Sequence, residues 1–157
     1  MLKLGTEVKD IASNQLGMLT LMQIEMNDST YYYFQPKGVN PKTGEPVDGR
    51  WVVDATIEDA IKIPDPDLPL EVLGSHATDM ASGYTGMIIS LRLHLNGCCH
   101  VSIQSSQLLE TGNVPQSVDF DLRRLVGDKI KILDEVKLEE SKLETPSPMN
   151  VKPYRPR

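Results

Sequence analysis

The chain is short of the residues from which reactive sites are usually built. It has two cysteines, three histidines and a single tryptophan in 157 residues. The cysteines, Cys98 and Cys99, are adjacent. Neighbours on a strand point to opposite faces, so these two are poorly placed to bridge each other, and reduced thiols are expected. No apolar run approaches the roughly 20 residues of a membrane helix. The opening MLKLGTEVKD lacks the apolar core of a secretory signal. Neither membrane association nor export is expected. The net charge is −6, which disfavours nucleic acid as a partner, because phosphate binding needs clustered Lys and Arg.

Recognisable chemistry is equally sparse. No Ser-His-Asp or Cys-His arrangement has supporting spacing. The glycines sit at turns and form no phosphate loop. Cys98, Cys99 and His100, with His94 and His76 nearby, invite a metal, but zinc sites carry a second ligand pair downstream and here there is none. A structural role at a hairpin is expected for them, with no metal and no cofactor. Asp10 and Asp79 stand before turns, where a carboxylate caps backbone N–H groups. Asp54 and Asp121, at strand ends, read as loop acceptors.

What the chain has instead is itself, twice. Leu4 to Gln35 and Leu73 to Gln104 align without gaps at an offset of 69. Leu4/Leu73, Gly5/Gly74, Asp10/Asp79, Ala12/Ala81, Ser13/Ser82, Gly17/Gly86, Met18/Met87, Asn27/Asn96 and Gln35/Gln104 are identical. Chance identity of roughly 6% per position would give about two matches in such a window. Apolar positions stay in phase: Leu19/Ile88, Met22/Leu91, Ile24/Leu93, Met26/Leu95 and Phe34/Ile103. The offset returns where Asp59 to Ile63 matches Asp128 to Ile132.

Each copy reads as five short strands. In the first they are Glu7 to Ile11, Gly17 to Ile24, Thr30 to Gln35, Arg50 to Asp54 and Ala60 to Ile63, with a helical turn at Ile57 to Ala60. In the second they are Leu73 to Ala81, Gly86 to Leu95, Cys98 to Gln104, Val118 to Asp121 and Ile130 to Ile132. Asn96-Gly97 is a strong hairpin signal. The predicted fold class is mainly β: two tandem small SH3-like β-barrels with an extended C-terminal arm. Residues 1–63 form the first barrel, 64–69 a Pro-rich linker, 70–133 the second barrel and 134–157 the arm. Three prolines in the linker are expected to stiffen it and limit how the barrels sit. Residues 134–144 are acidic. Residues 145–157 (TPSPMNVKPYRPR) hold four prolines, and Lys152, Arg155 and Arg157 without an acid.

Gly83-Tyr84-Thr85-Gly86, Leu95-Asn96-Gly97-Cys98 and Phe120-Asp121, with Gln35-Pro36 and Val53-Asp54 in the first copy, resemble the pattern of small proteins encoded by tailed bacteriophages and prophages. The first copy departs from it, with Asn14 for the first Gly and Asp28-Ser29 for Gly-Cys. The resemblance spans both copies, excludes the arm, and implies a phage context more than an activity. It leads to a non-enzymatic virion structural or accessory protein as the expected function, a capsid decoration, neck or tail-associated component. Its partners would be other virion proteins or copies of itself. It would be made in the host cytoplasm and located in the virion. The alternatives are a soluble phage-encoded inhibitor of a host protein, and a nucleic-acid-binding barrel pair. Aromatics concentrate at Tyr31 to Phe34 and at Trp51. On a strand one pair of the run faces the core and the other outward. Tyr31, Tyr33 and Trp51, with Lys152, Tyr154, Arg155 and Arg157 of the arm, are the candidate interaction residues.

Overall fold

The computed structural model describes residues 1–64 and 68–130. Their period-two patterns become ten antiparallel strands, and among the described residues the only helices are three single 3-10 turns. The first unit contributes β1 (Glu7–Asp10), β2 (Gln15–Glu25), β3 (Thr30–Pro36), β4 (Arg50–Val52) and β5 (Ile57–Glu58). The second contributes β6 (His76–Asp79), β7 (Thr85–His94), β8 (Cys99–Gln104), β9 (Val118–Asp121) and β10 (Leu125–Val126). The pairing order is β5-β1-β2-β3-β4 in one and β10-β6-β7-β8-β9 in the other. The repeat is therefore kept strand for strand.

The buried residues follow the same offset. Leu19, Met22, Tyr32 and Phe34 of one core match Ile88, Leu91, Val101 and Ile103 of the other. Gly17 and Gly86 let β2 and β7 pass closely over β3 and β8. A Cβ at Gly17 would stand 2.6 Å from the Phe34 ring, and one at Gly86 2.7 Å from the Gln104 carbonyl carbon. Both lie well inside van der Waals contact. The tight turns are conserved in shape, not in residue. Asn14 and Asp28 hold φ of 56° and 65° where Gly83 and Gly97 hold 72° and 84°. Asn and Asp tolerate this left-handed region better than other non-glycines.

Each buried aspartate anchors a turn. Asp10 Oδ2 accepts from Ser13 N at 2.8 Å and Ser13 Oγ at 2.6 Å; Asp79 Oδ2 accepts from Ser82 N at 2.9 Å and Ser82 Oγ at 2.6 Å. Arginines neutralise both carboxylates, but from different places. Arg50 on β4 reaches Asp10 at 2.6 Å, while Arg124, just before β10, grips both oxygens of Asp79 at 3.0 and 2.8 Å. Burial raises the Asp10 carboxyl, but the Ser13 hydroxyl and Arg50 outweigh this and hold it below the usual range. At Asp79 the Ser82 hydroxyl is the largest influence; with Arg124 it overcomes desolvation, again downward. A carboxyl depressed in the folded state contributes stability that is complete above its unfolded value and lost as pH falls through the folded one. Folding stability is therefore expected to be level from neutral pH down to about the ordinary aspartate value of 3.8 and to fall below it. Urea denaturation at pH 7, 4 and 3 measures this; a midpoint that does not drop at pH 3 would contradict it.

The closing elements differ most from the sequence expectation, and the strand expected at Leu73 to Ala81 is confined to His76–Asp79. In the first unit the 3-10 turn comes earlier, at Asp54–Thr56, and the closing strand is Ile57–Glu58. Lys9 meets Glu58 in this pairing, and Ile11 N donates to Thr56 O at 2.9 Å. Lys62 makes only an isolated bridge to Leu2. In the second unit the closing strand is Leu125–Val126, and Lys131 and Ile132 lie outside the described residues. The structural match of the late strands, Val52 with Phe120, places Asp121 opposite Val53 instead of Asp54. Asp121 Oδ1 accepts from Arg123 N at 2.8 Å and caps the turn that follows.

The units are joined by strand pairing. The second half of β2 pairs antiparallel with the second half of β7: Met22↔Leu93, Gln23↔Arg92, Ile24↔Leu91 and their neighbours. Gln23 and Arg92 are equivalent positions of the repeat, so a pseudo-twofold axis passes between them. A bulge in each strand supports the junction. Thr20 and Ile89 are the extra residues, skipped by β3 and β8. Their freed carbonyls accept across the axis, from Leu95 N at 3.0 Å and Met26 N at 2.9 Å. Residues 65–67 of the Pro-rich linker lie outside the described residues; among the described residues this ladder joins the units. The result is one continuous run of six strands, β4-β3-β2-β7-β8-β9. Short strands end it on both sides, which limits the exposed edge.

Candidate interaction face

On β3, Tyr32 and Phe34 turn into the core, leaving Tyr31 exposed and Tyr33 half-buried on the outer face. Trp51 on β4 stands opposite Tyr33, and the rings meet edge to face at 5.3 Å. Trp51 is held on another side by Arg92, whose Cζ lies 5.7 Å from the ring centroid. Such cation–π and edge contacts fix an aromatic without covering it; 42% of Trp51 remains exposed.

Arg92 is the hub of this face. By the alternation of the ladder Gln23 and Arg92 form a non-hydrogen-bonded pair, the geometry in which side chains stand closest. Arg92 Nε donates to Gln23 Oε1 at 2.8 Å, and Nη1 donates to Asp119 Oδ2 at 2.6 Å. Asp119 Oδ1 accepts from the buried Ser102 hydroxyl at 2.5 Å, which itself accepts from buried Ser90 at 3.0 Å. Gln23 Nε2 donates to Glu25. Burial raises the Asp119 carboxyl, but Ser102 and Arg92 pull it below the usual range. The hydrogen-bonded chain from Glu25 to Ser90 thus links both units.

Beside it lies a groove of about 550 Å³, lined by Gln23, Glu25, Met26, Asn27, Tyr31, Trp51 and Ile89. A second, of about 470 Å³, is lined by Thr20, Leu21, His94, Leu95 and Asn96. The two are mates about the axis: Met26 corresponds to Leu95, Asn27 to Asn96, Ile89 to Thr20 and Glu25 to His94. They have diverged in chemistry. The positions equivalent to Tyr31 and Trp51 are His100 and Asp119, and the second groove is lined without them. The His94 and His100 rings meet at 4.6 Å. Desolvation, the neighbouring His100 and Arg92 all push the His94 imidazole down, which favours its neutral form.

Tyr31 and Trp51, both singled out from the sequence, line the first groove, and Tyr33 supports it from behind. Lys152, Tyr154, Arg155 and Arg157 lie outside the described residues. Arg50 is engaged with Asp10, and Lys37 pairs with Glu7. Among the described residues no group of three or more His, Cys, Asp or Glu side chains converges to hold a metal ion. Cys99 packs against the second core, and burial pushes its thiol up to about 11, leaving it protonated and unreactive at neutral pH. Gln23, Met26, Ile89 and Arg92 were not among the residues the sequence singled out. Met26 and Ile89 lie in or just beyond the apolar second strand of each copy; the polar Gln23 and the charged Arg92 carried no such signal. Compared with protein families, characterised proteins and solved structures, the chain matches none.

Proposed function

We propose that this chain is a non-enzymatic interaction protein, a virion accessory component of a tailed phage or prophage that docks through the Trp51 face. The observation that carries this reading is a tryptophan braced by Tyr33 and Arg92, two-fifths exposed, in a groove with Tyr31 and Met26. Trp, Tyr and Arg are the residues that dominate binding energy at protein interfaces, and a pre-braced ring loses little freedom on binding. The strand order of each unit, with a 3-10 turn before the fifth strand, supports reading each as a small SH3-like barrel. The phage context comes from the sequence resemblance.

The test is quantitative mass spectrometry of purified phage particles carrying wild-type or Trp51→Ala protein. The wild type is expected at a fixed copy number matching a ring or a capsid lattice. The variant is expected to fold and to drop out of particles, since truncating a central aromatic weakens binding by about 30-fold or more. Absence of the wild-type chain from particles, together with a stable complex with a host protein in infected cells, would overturn the virion reading.

A further inference from the structure

We infer that the groove at Tyr31, Trp51 and Met26 receives the chain's own proline-rich C-terminal segment, residues 145–157. Aromatic-lined grooves take polyproline II segments because the rings stack on proline and the ligand is already extended, so little order is lost. The segment holds Pro146, Pro148, Pro153 and Pro156. Polyproline II has three residues per turn. In that conformation Pro153 and Pro156 fall on one edge and Lys152 and Arg155 on the next. The groove offers the matching pair of surfaces: Trp51 and Tyr31 for the prolines, and Glu25, the one charged residue of its lining, for the cations. Charge agrees on the larger scale. Residues 145–157 carry three cations and no acid, while the whole chain is at −6, so everything else is net acidic. Arg92, the cation beside Trp51, is already bound to Asp119 and Gln23.

The segment can reach. Residues 131–144 connect it to Ile130, and this stretch spans up to about 46 Å when extended. A folded body of this size has a radius of gyration of about 14 Å, so most of its surface is within range. Such a tether gives an effective concentration on the order of 1 mM, and a free-peptide Kd near 100 µM would then leave about nine grooves in ten occupied. The groove, at about 550 Å³, suits a short extended stretch. Its mate, lined by Thr20, Leu21, His94, Leu95 and Asn96, has no tyrosine or tryptophan in its lining and is not expected to compete.

Trp51 is the only tryptophan, so its fluorescence reports on the groove alone. The comparison is the full chain against a full chain carrying Pro153→Ala and Pro156→Ala, with circular dichroism confirming equal folding. The double variant is expected to show a red-shifted emission maximum and stronger acrylamide quenching. A synthetic peptide of residues 145–157 should reverse both changes saturably in the variant and leave the wild type unaltered. Identical spectra for the two proteins, with no response to peptide, overturn the inference. A shift that grows with protein concentration also overturns it, by assigning the groove to a neighbour's segment. The inference rests on the Trp51 face being a docking surface, with the segment as the groove's occupant until a virion partner displaces it, yet it fails separately. Spectra indifferent to the segment, with Trp51→Ala still lost from particles, would refute this inference alone.

Discussion

Gly17→Ala and Gly86→Ala are each expected to destabilise the fold by about 3 kcal/mol or more, the upper range for overpacking a core. Against a total stability of about 5–15 kcal/mol for a typical domain, that leaves little margin. The new methyl has nowhere to go. At Gly17 it meets the Phe34 ring at 2.6 Å and the Gln35 carbonyl closer still. At Gly86 it meets the Gln104 carbonyl group and, at 2.9 Å, Ile103. Nor can β3 or β8 swing away freely, since β4 and β9 bind their far sides. Gln35 and Gln104 are also pinned: their amides donate to Val47 O at 2.5 Å and Pro115 O at 2.7 Å, holding the long loops. Gly83→Ala is the control. Gly83 has positive φ but open space around it, so only backbone strain of about 1–2 kcal/mol is expected. Urea denaturation ranks the three. A Gly17→Ala loss no larger than that of Gly83→Ala would show that the close approach is dispensable.

Ile24→Ala and Leu91→Ala address the junction. Both are buried, and they face each other across the axis. Each truncation is expected to lose about 2–5 kcal/mol through lost burial and a residual cavity. The informative quantity is the double variant. Residues in contact show interaction energies of about 0.5–3 kcal/mol, while distant sites add. Coupling is therefore expected, because one partner belongs to each unit. Strict additivity would mean that the units fold as independent bodies and that the β2–β7 ladder carries no shared stability.

Much of the fold can be read in the sequence because duplication acts as an internal control. Leu19/Ile88, Phe34/Ile103 and Gly17/Gly86 repeat at one offset, and all are buried in the structure. Alternation at Tyr31–Phe34 fixed that either Tyr31 and Tyr33 or Tyr32 and Phe34 face outward, although not which pair; Tyr32 and Phe34 turn inward, opposite Met22 and Leu19 in the ladder. The closing strands were harder. Ile57–Glu58 and Leu125–Val126 are two residues long, too short for any period to show. The junction was harder still. Met22, Ile24 and Met26 announce an apolar strand, but nothing in one copy says that its partner is the other copy. Arginines Arg50 and Arg124 illustrate a further limit. Both neutralise equivalent aspartates, yet they come from non-equivalent positions, so no alignment of the copies pairs them.

The axis between Gln23 and Arg92 has one more consequence. If the two units were separate identical chains forming a homodimer, the residue at the axis would face its own copy. Two arginines there would repel, and two glutamines could satisfy each other only in part. Fusion into one polypeptide lifts that constraint. A self-facing position becomes two independently encoded ones, and here they differ: an amide oxygen accepts from a guanidinium at 2.8 Å. The same release lets one groove be aromatic and its mate imidazole-bearing. A covalent pair can thus present two different surfaces in a fixed relation and meet two different neighbours, which a symmetric pair of single units could not do.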